Sequence, residues 1–274
     1  MARLANEENE IVLDELGDFS PITNVSSRPS SKKRAEKIEL RVSHQPGFVL
    51  HSYPYKETSL IVDLFSRDYG RIALVAKGAK RPHSRLRSVL QTFQPLNVAW
   101  SGRAEVKTMT NAEWVGGMLP VEKSALLCGF YLNELLTKFL IRGEPAPSLF
   151  QDYVSTLNQL AHGASAAIAL RQFEIALLQQ AGLLGDLNFC TVSGAQVREQ
   201  LRYIVNPEAG VQPAQIFESG PVVIGKTLRD MSAKDYSDPT TQSQSKQLMR
   251  YLLQYHLQGQ TLKTRQILID LQKL

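Results

Sequence analysis

Residues 47–109 constrain this chain more than any other part of it. Five short apolar runs lie there, at residues 48–50, 60–65, 72–76, 96–100 and 106–109, separated by turn signals. The runs are rich in Val, Ile, Leu and Phe, which suit a pleated and half-buried surface, so each reads as a strand. Tyr69-Gly70 divides the second run from the third as a tight hairpin does, because Gly takes the positive φ that such turns need. Ser101-Gly102 does the same between the fourth and fifth. Lys77-Gly78 ends the third run, and Lys80, Arg81, Arg85 and Arg87 follow it closely. Five strands with a break between the third and fourth are the element count of an OB-fold, a small Greek-key barrel that binds oligonucleotides and oligosaccharides. Other small barrels share the count.

Charge singles out the same stretch. Residues 1–40 hold 6 Lys and Arg against 8 Asp and Glu, a net −2. Residues 41–115 hold 11 against 5, a net +6, and residues 116–274 hold 14 against 13, a net +1. The whole excess of +5 therefore sits on the expected barrel, and a positive field concentrated on one small unit suits a polyanionic partner. At 274 residues and 43% hydrophobic composition the chain is long enough for a sizeable core and two domains. No apolar run approaches the roughly 20 residues of a membrane span. The acidic first 30 residues lack the apolar core of a secretory signal. Cys128 and Cys190 follow no pairing pattern and read as thiols in a reducing cytosol.

Residues 1–40 read as a disordered tail and linker. Acidic residues from Glu7 to Asp18 surround Ile11, Val12, Leu13 and Leu16, and a Ser/Pro-rich stretch leads to Lys32-Lys33-Arg34. Too little apolar surface is present to offset the entropy of ordering, though a brief amphipathic helix fits residues 7–16. The barrel is expected over 41–115. Leu86, Val89 and Leu90 recur at i, i+3 and i+4, which predicts a short helix between the third and fourth strands, with Ser84 as its cap. Arg85 and Arg87 then face away from the barrel. Phe48, Phe65 and Trp100 sit inside apolar runs and read as core, whereas Tyr53 and Tyr55 lie in a Pro-containing loop and are the better base-stacking candidates.

After Gly116-Gly117 the apolar period changes from two to about 3.6. A long helix is expected between Pro120 and Gly143, a second over 149–160 and a third over 164–181 with Gly182 at its C-terminus. Their broad apolar faces predict a mainly α-helical domain over 116–274. Periodicity is lost over 183–224, where Asn206-Pro207, Gly210, Pro213 and Gly220-Pro221 mark turns around short strands at 203–205 and 221–224, a small irregular subdomain. Helices resume at 227–231, 244–257 and 265–271. The fold class is thus α+β, a five-stranded barrel followed by a mainly helical domain.

No catalytic constellation appears. There is no Gly-rich loop ending in GK[ST], and no Asp/Glu/His cluster has two-metal nuclease spacing. His44, His51, His83, His162 and His256 are scattered. The residues favour a non-enzymatic binding protein over two alternatives, an RNA-binding OB-fold accessory protein of translation and an accessory enzyme of nuclease or ligase type. On the binding reading, phosphates meet Arg71, Lys77, Lys80, Arg81, Arg85, Arg87 and Lys107 and confer affinity without sequence choice.

Several stretches together resemble the RecO family of bacterial recombination mediators. They include Leu74-Val75-Ala76-Lys77-Gly78-Ala79, Glu105-Val106-Lys107-Thr108, Tyr131-Leu132-Asn133-Glu134-Leu135-Leu136, Leu170-Arg171-Gln172-Phe173-Glu174, Gly182-Leu183-Leu184 and Leu262-Lys263-Thr264-Arg265. The resemblance covers residues 46–268. It implies a cytoplasmic, nucleoid-associated protein that binds single- and double-stranded DNA, anneals complementary strands and, with RecR, helps load recombinase. It implies a further partner, the acidic C-terminal tail of single-strand-binding protein, and places Arg171 and Arg250 at the site that grips it. Many members hold zinc through four cysteines in the irregular subdomain. Here Cys190 stands without a nearby CxxC, so no thiolate zinc site and no cofactor is expected.

Overall fold

Strand β1 (Arg41–Tyr55) begins well before the first apolar run and continues through Pro54. Pairing, not local propensity, sets its length. Over residues 41–47 it is bonded to β4 (Leu96–Ser101), and over 47–55 to β2 (Ser59–Ser66). Among the described residues, one edge of β1 beyond Gly47 meets only a single bridge, from Val49 to Thr92, and no strand, which is where a strand tolerates the missing N–H of a proline. Tyr53 and Tyr55 therefore stand on a strand, paired with Ile61 and Ser59, and the expectation of a loop there is corrected. These details come from a computed structural model that describes residues 41–122, 124–215, 220–264 and 266–267. The expected tail and linker, with its brief helix at 7–16, lies outside the described residues, as does most of the expected helix over 265–271.

The barrel closes in the order β1-β2-β3-β5-β4, with β3 (Gly70–Ala76) parallel to β5 (Val106–Trp114) and every other pair antiparallel. That is the OB-fold arrangement suggested by the strand count. Gly70 turns the β2–β3 hairpin at φ +61°, and a Cβ there would lie 1.8 Å from the Glu144 carbonyl oxygen, so no other residue fits. Helix α1 (Arg85–Val89) bridges β3 and β4 as expected, with Leu86 and Val89 packed against the barrel core. Ser84 occupies its N-cap position but makes no side-chain cap bond.

Two apolar cores result. The barrel interior holds Val49, Val62, Leu64, Ile72, Leu74, Leu96, Val98 and Trp100. The second core fills the helical part, yet it includes Phe48, Leu50, Phe65 and Phe93 from the barrel. Phe48 and Phe65 are register partners, and the rings of Phe150 and Tyr153 pack on both at centroid distances of 5.2–6.0 Å. The helical core is thus built onto the outer face of β1 and β2, and the described residues fall in one compact unit.

Helix α2 (Ser124–Phe139) crosses β1, and α3 (Pro147–Ala161) opens on a proline whose missing N–H would have no helical partner anyway. Helix α4 (Ala166–Gln180) ends at Gly182, which takes φ +68° while Leu183 N–H donates to the Leu178 carbonyl. The irregular subdomain holds a three-stranded sheet, β7-β6-β8, from β6 (Arg202–Asn206), β7 (Gly210–Pro213) and β8 (Val223–Ile224). The middle member of that run, β7, carries no apolar alternation and was not legible from periodicity. Helix α5 (Gly225–Ser232) follows, then α6 (Pro239–His256), whose N-cap Asp238 accepts from Thr240 N–H at 2.8 Å.

Candidate nucleic-acid interface and partner pocket

Register places residues on the barrel's outer face in rows. Directly opposed residues of neighbouring strands share a face. Phe48, Phe65 and Arg71 form one row, and the helical part covers it. His51, Asp63, Ala73 and Val106 form the next, and Tyr53, Ile61, Val75 and Thr108 the one after. Tyr55 and Ser59 lie beyond, with Lys77 one position past the Leu60–Ala76 pair. In these last rows His51, Tyr53, Tyr55 and Val106 are exposed, and Ile61, Val75 and Thr108 half-buried. The open part of the outer face is therefore apolar and aromatic, bounded on one side by the helical part.

A bulge makes this possible. Leu50 and His51 together oppose Asp63, so β1 changes phase between Val49 and His51. Before it Phe48 and Leu50 face the helices; after it His51, Tyr53 and Tyr55 face solvent. The His51 and Tyr53 rings lie 6.1 Å apart at 28°, and Lys56 Nζ sits 5.4 Å from the Tyr55 ring centre.

Cations gather at the Tyr55 end. Lys80 N–H donates to the Thr58 carbonyl at 2.9 Å, which holds the loop after β3 against the β1–β2 turn. Lys56, Lys77, Lys80 and Arg81 are exposed there, and Arg81 folds back over Gly78. Arg85 and Arg87 are exposed on α1, and Lys107 is half-buried in β5. Exposed cations beside aromatic faces suit a single strand, whose phosphates and bases they meet separately.

Arg71 departs from the expected set. Its Nε and Nη2 donate to both Asp63 oxygens at 2.7–3.1 Å, and its Nη1 donates to the Thr137 carbonyl at 2.5 Å. The guanidinium is satisfied internally and ties the barrel to the C-terminal end of α2, where a cation is also favoured by the helix dipole. It is a structural tie and not a free phosphate ligand.

The second site is a pocket of about 570 Å³ between α2, α4, α6 and the segment after α6. Leu170, Leu253, Leu257, Leu262 and Tyr131 supply apolar wall, and Arg171, Lys246 and Arg250 supply cations. The pocket brings together Arg171 and Arg250, which lie 79 residues apart in the chain. Lys246 was missed by the sequence reading, although its i, i+4 spacing from Arg250 on α6 was the available signal. Arg171 Nη2 donates to the fully buried Glu174 at 2.5 Å, and Tyr131 Oη donates to the same oxygen at 2.7 Å. The intrahelical i, i+3 pair thus exists, and it fixes the guanidinium at the pocket wall. Burial pushes the Tyr236 hydroxyl up to about 12, with Arg171 lowering it and Glu174 raising it. Burial also raises the Cys128 thiol at the pocket's edge, which leaves it a poor nucleophile.

Among the described residues no group of three or more His, Cys, Asp or Glu side chains is placed to hold a metal, and no helix is long and apolar enough to cross a membrane. The family model described as Recombination protein O N terminal matches residues 40–118, and that described as Recombination protein O C terminal matches residues 124–266. The DNA repair protein RecO of Ralstonia nicotianae is 60% identical over 242 residues, covering 88% of this chain and 89% of the relative. The DNA repair protein RecO of Burkholderia orbicola is 54% identical over 259 residues, 93% of each chain. That of Polynucleobacter necessarius is 53% identical over 241 residues, 86% of this chain and 99% of the relative. With both halves matched by one family and relatives this similar over most of their length, the chain belongs to the RecO family, whose role is in DNA repair and recombination.

Proposed function

We propose that this protein is a cytoplasmic, nucleoid-associated mediator that binds single- and double-stranded DNA through the barrel, residues 41–115. It anneals complementary strands and, with RecR, helps load recombinase on DNA coated by single-strand-binding protein. The open aromatic face, with exposed Lys77, Lys80 and Arg81 at its Tyr55 end, carries the reading. Cations that neutralise phosphates of two strands at once lower the repulsion between them, which is the physical requirement for annealing. Stacking on Tyr53 and Tyr55 is indifferent to sequence, as annealing of arbitrary strands needs.

The pocket of Arg171, Lys246 and Arg250 suits the acidic, apolar-ended tail of single-strand-binding protein. A terminal carboxylate takes a guanidinium bidentately while the last apolar side chain enters the Leu253 and Leu257 wall. Two sites on one chain then separate DNA affinity from recruitment.

The test is the salt dependence of binding. Replacing Lys77, Lys80, Arg81 and Arg85 with Ala should weaken single-stranded DNA binding about equally for all sequences. It should also flatten the log–log salt slope by about 0.7 per lost phosphate contact. An unchanged slope removes the barrel from the account. Higher affinity for RNA than for DNA at equal salt favours the translation alternative.

A further inference from the structure

Arg142 follows α2 in the chain, yet it lies on the barrel. Residues 141–143 run beside the start of β3, bridged at Arg71 and Arg142, with Gly143 N–H donating to the Arg71 carbonyl at 2.8 Å. The Arg142 guanidinium reaches two carboxylates, Asp63 on β2 at 3.7 Å and Glu105 just before β5 at 3.2 Å. Asp63, Ala73 and Val106 are neighbours in register, so the guanidinium spans β3 on the outer face. Two residues along a strand cover about 6.6 Å. Arg142 therefore lies one row from Ile61, Val75 and Thr108, at the border of the open face opposite Lys77.

Its two partners differ. The Asp63 side chain is 8% exposed and already takes three bonds from Arg71. The Glu105 side chain is 78% exposed and meets Arg142 through one contact. An ion pair of that kind is weak in water. A phosphate offers equivalent oxygens to both arms of the guanidinium and is the better partner.

We propose that Arg142 is a phosphate contact of the open face, supplied by the helical part, and that Glu105 is a built-in competitor which a nucleic-acid phosphate displaces. The inference rests on the reading of that face as the nucleic-acid interface. It makes the interface composite, with cations on both borders of the aromatic rows.

The experiment is fluorescence anisotropy of an oligothymidylate with the full chain over a series of salt concentrations. Arg142→Ala should weaken binding about three- to tenfold and reduce the salt slope by about 0.7. Arg142→Lys, which keeps the charge and loses the fork, should retain the slope and lose part of the affinity; it serves as the readout if Arg142→Ala does not fold. Glu105→Gln should strengthen binding, and that gain should vanish in the Arg142→Ala background. A gain that persists there reflects only the removal of negative charge and overturns the competitor role. If Lys77→Ala with Lys80→Ala lowers the slope while Arg142→Ala does not, the inference falls and the interface reading stands. If neither variant changes the slope, the interface reading itself falls.

Discussion

The Tyr153 hydroxyl donates to Asn133 Oδ1 at 2.6 Å, and the Asn133 amide in turn donates to the Leu50 carbonyl at 3.0 Å. Three elements, α3, α2 and β1, are joined through one buried amide. Asn133→Ala leaves a buried hydroxyl and a buried carbonyl without partners, each costing about 1–3 kcal/mol. Urea unfolding should therefore show a loss of about 3 kcal/mol or more. Tyr153→Phe, which leaves only the Asn133 oxygen unpaired, should lose about half as much.

Arg71 gives the second prediction. Arg71→Ala leaves Asp63 buried beside Arg142 alone and should destabilise by about 3 kcal/mol. Under conditions where the variant remains folded, its salt slope for single-stranded DNA should match that of the unaltered protein. A flattened slope would return Arg71 to the phosphate ligands.

The Arg171–Glu174 pair separates packing from recognition. Arg171→Met removes the cation paired with the buried Glu174 carboxylate, which keeps the Tyr131 hydroxyl bond, and should cost about 3 kcal/mol. Adding Glu174→Met removes the uncompensated charge and should recover most of that loss. Both variants should lose about tenfold in affinity for an acidic tail peptide, measured calorimetrically, while binding bare DNA as before. Peptide affinity that recovers together with stability would place the grip elsewhere.

His256 sets a pH dependence. Burial lowers its ionisation below the ordinary histidine value, and its Nε2 has no partner among the described residues. The folded state thus favours the neutral ring. Above about pH 6.5 both states are neutral and this contribution is flat. As pH falls through that value the unfolded chain binds the proton first, so stability declines, levelling off once the folded ring also titrates. Urea midpoints measured from pH 8 to 5 should show the decline, and His256→Gln should reduce it.

Zinc provides a fifth check. Elemental analysis of tag-free protein should find far less than one zinc per chain, and a chelator should leave the melting temperature unchanged. Stoichiometric zinc would require ligands other than a thiolate cluster around Cys190.

The elements governed by local periodicity were legible in the sequence. The five barrel strands, the short connector helix and the three long helices follow from apolar spacing and from Gly70 and Gly182. What escaped depends on pairing between distant segments. The early start of β1 is set by β4, and the strand position of Tyr53 and Tyr55 by β2, in spite of Pro54. Arg71 looked like a free cation because its partners, Asp63 and the end of α2, are not its neighbours in any periodic sense. Arg171 and Arg250 were assigned by resemblance alone, since nothing in one chain shows that α4 and α6 share a pocket.

The bulge at Leu50 and His51 has a consequence for how such a protein changes over generations. A strand in strict alternation that faces one neighbour along its whole length must adapt to that neighbour throughout. With one extra residue, β1 serves two masters: Phe48 and Leu50 answer to the helices, and His51, Tyr53 and Tyr55 answer to whatever meets the open face. Substitutions at 53 and 55 need no matching change in Phe150 or Tyr153, and repacking around Phe48 leaves the aromatic rows as they were. A single strand thereby carries two surfaces that selection can tune separately.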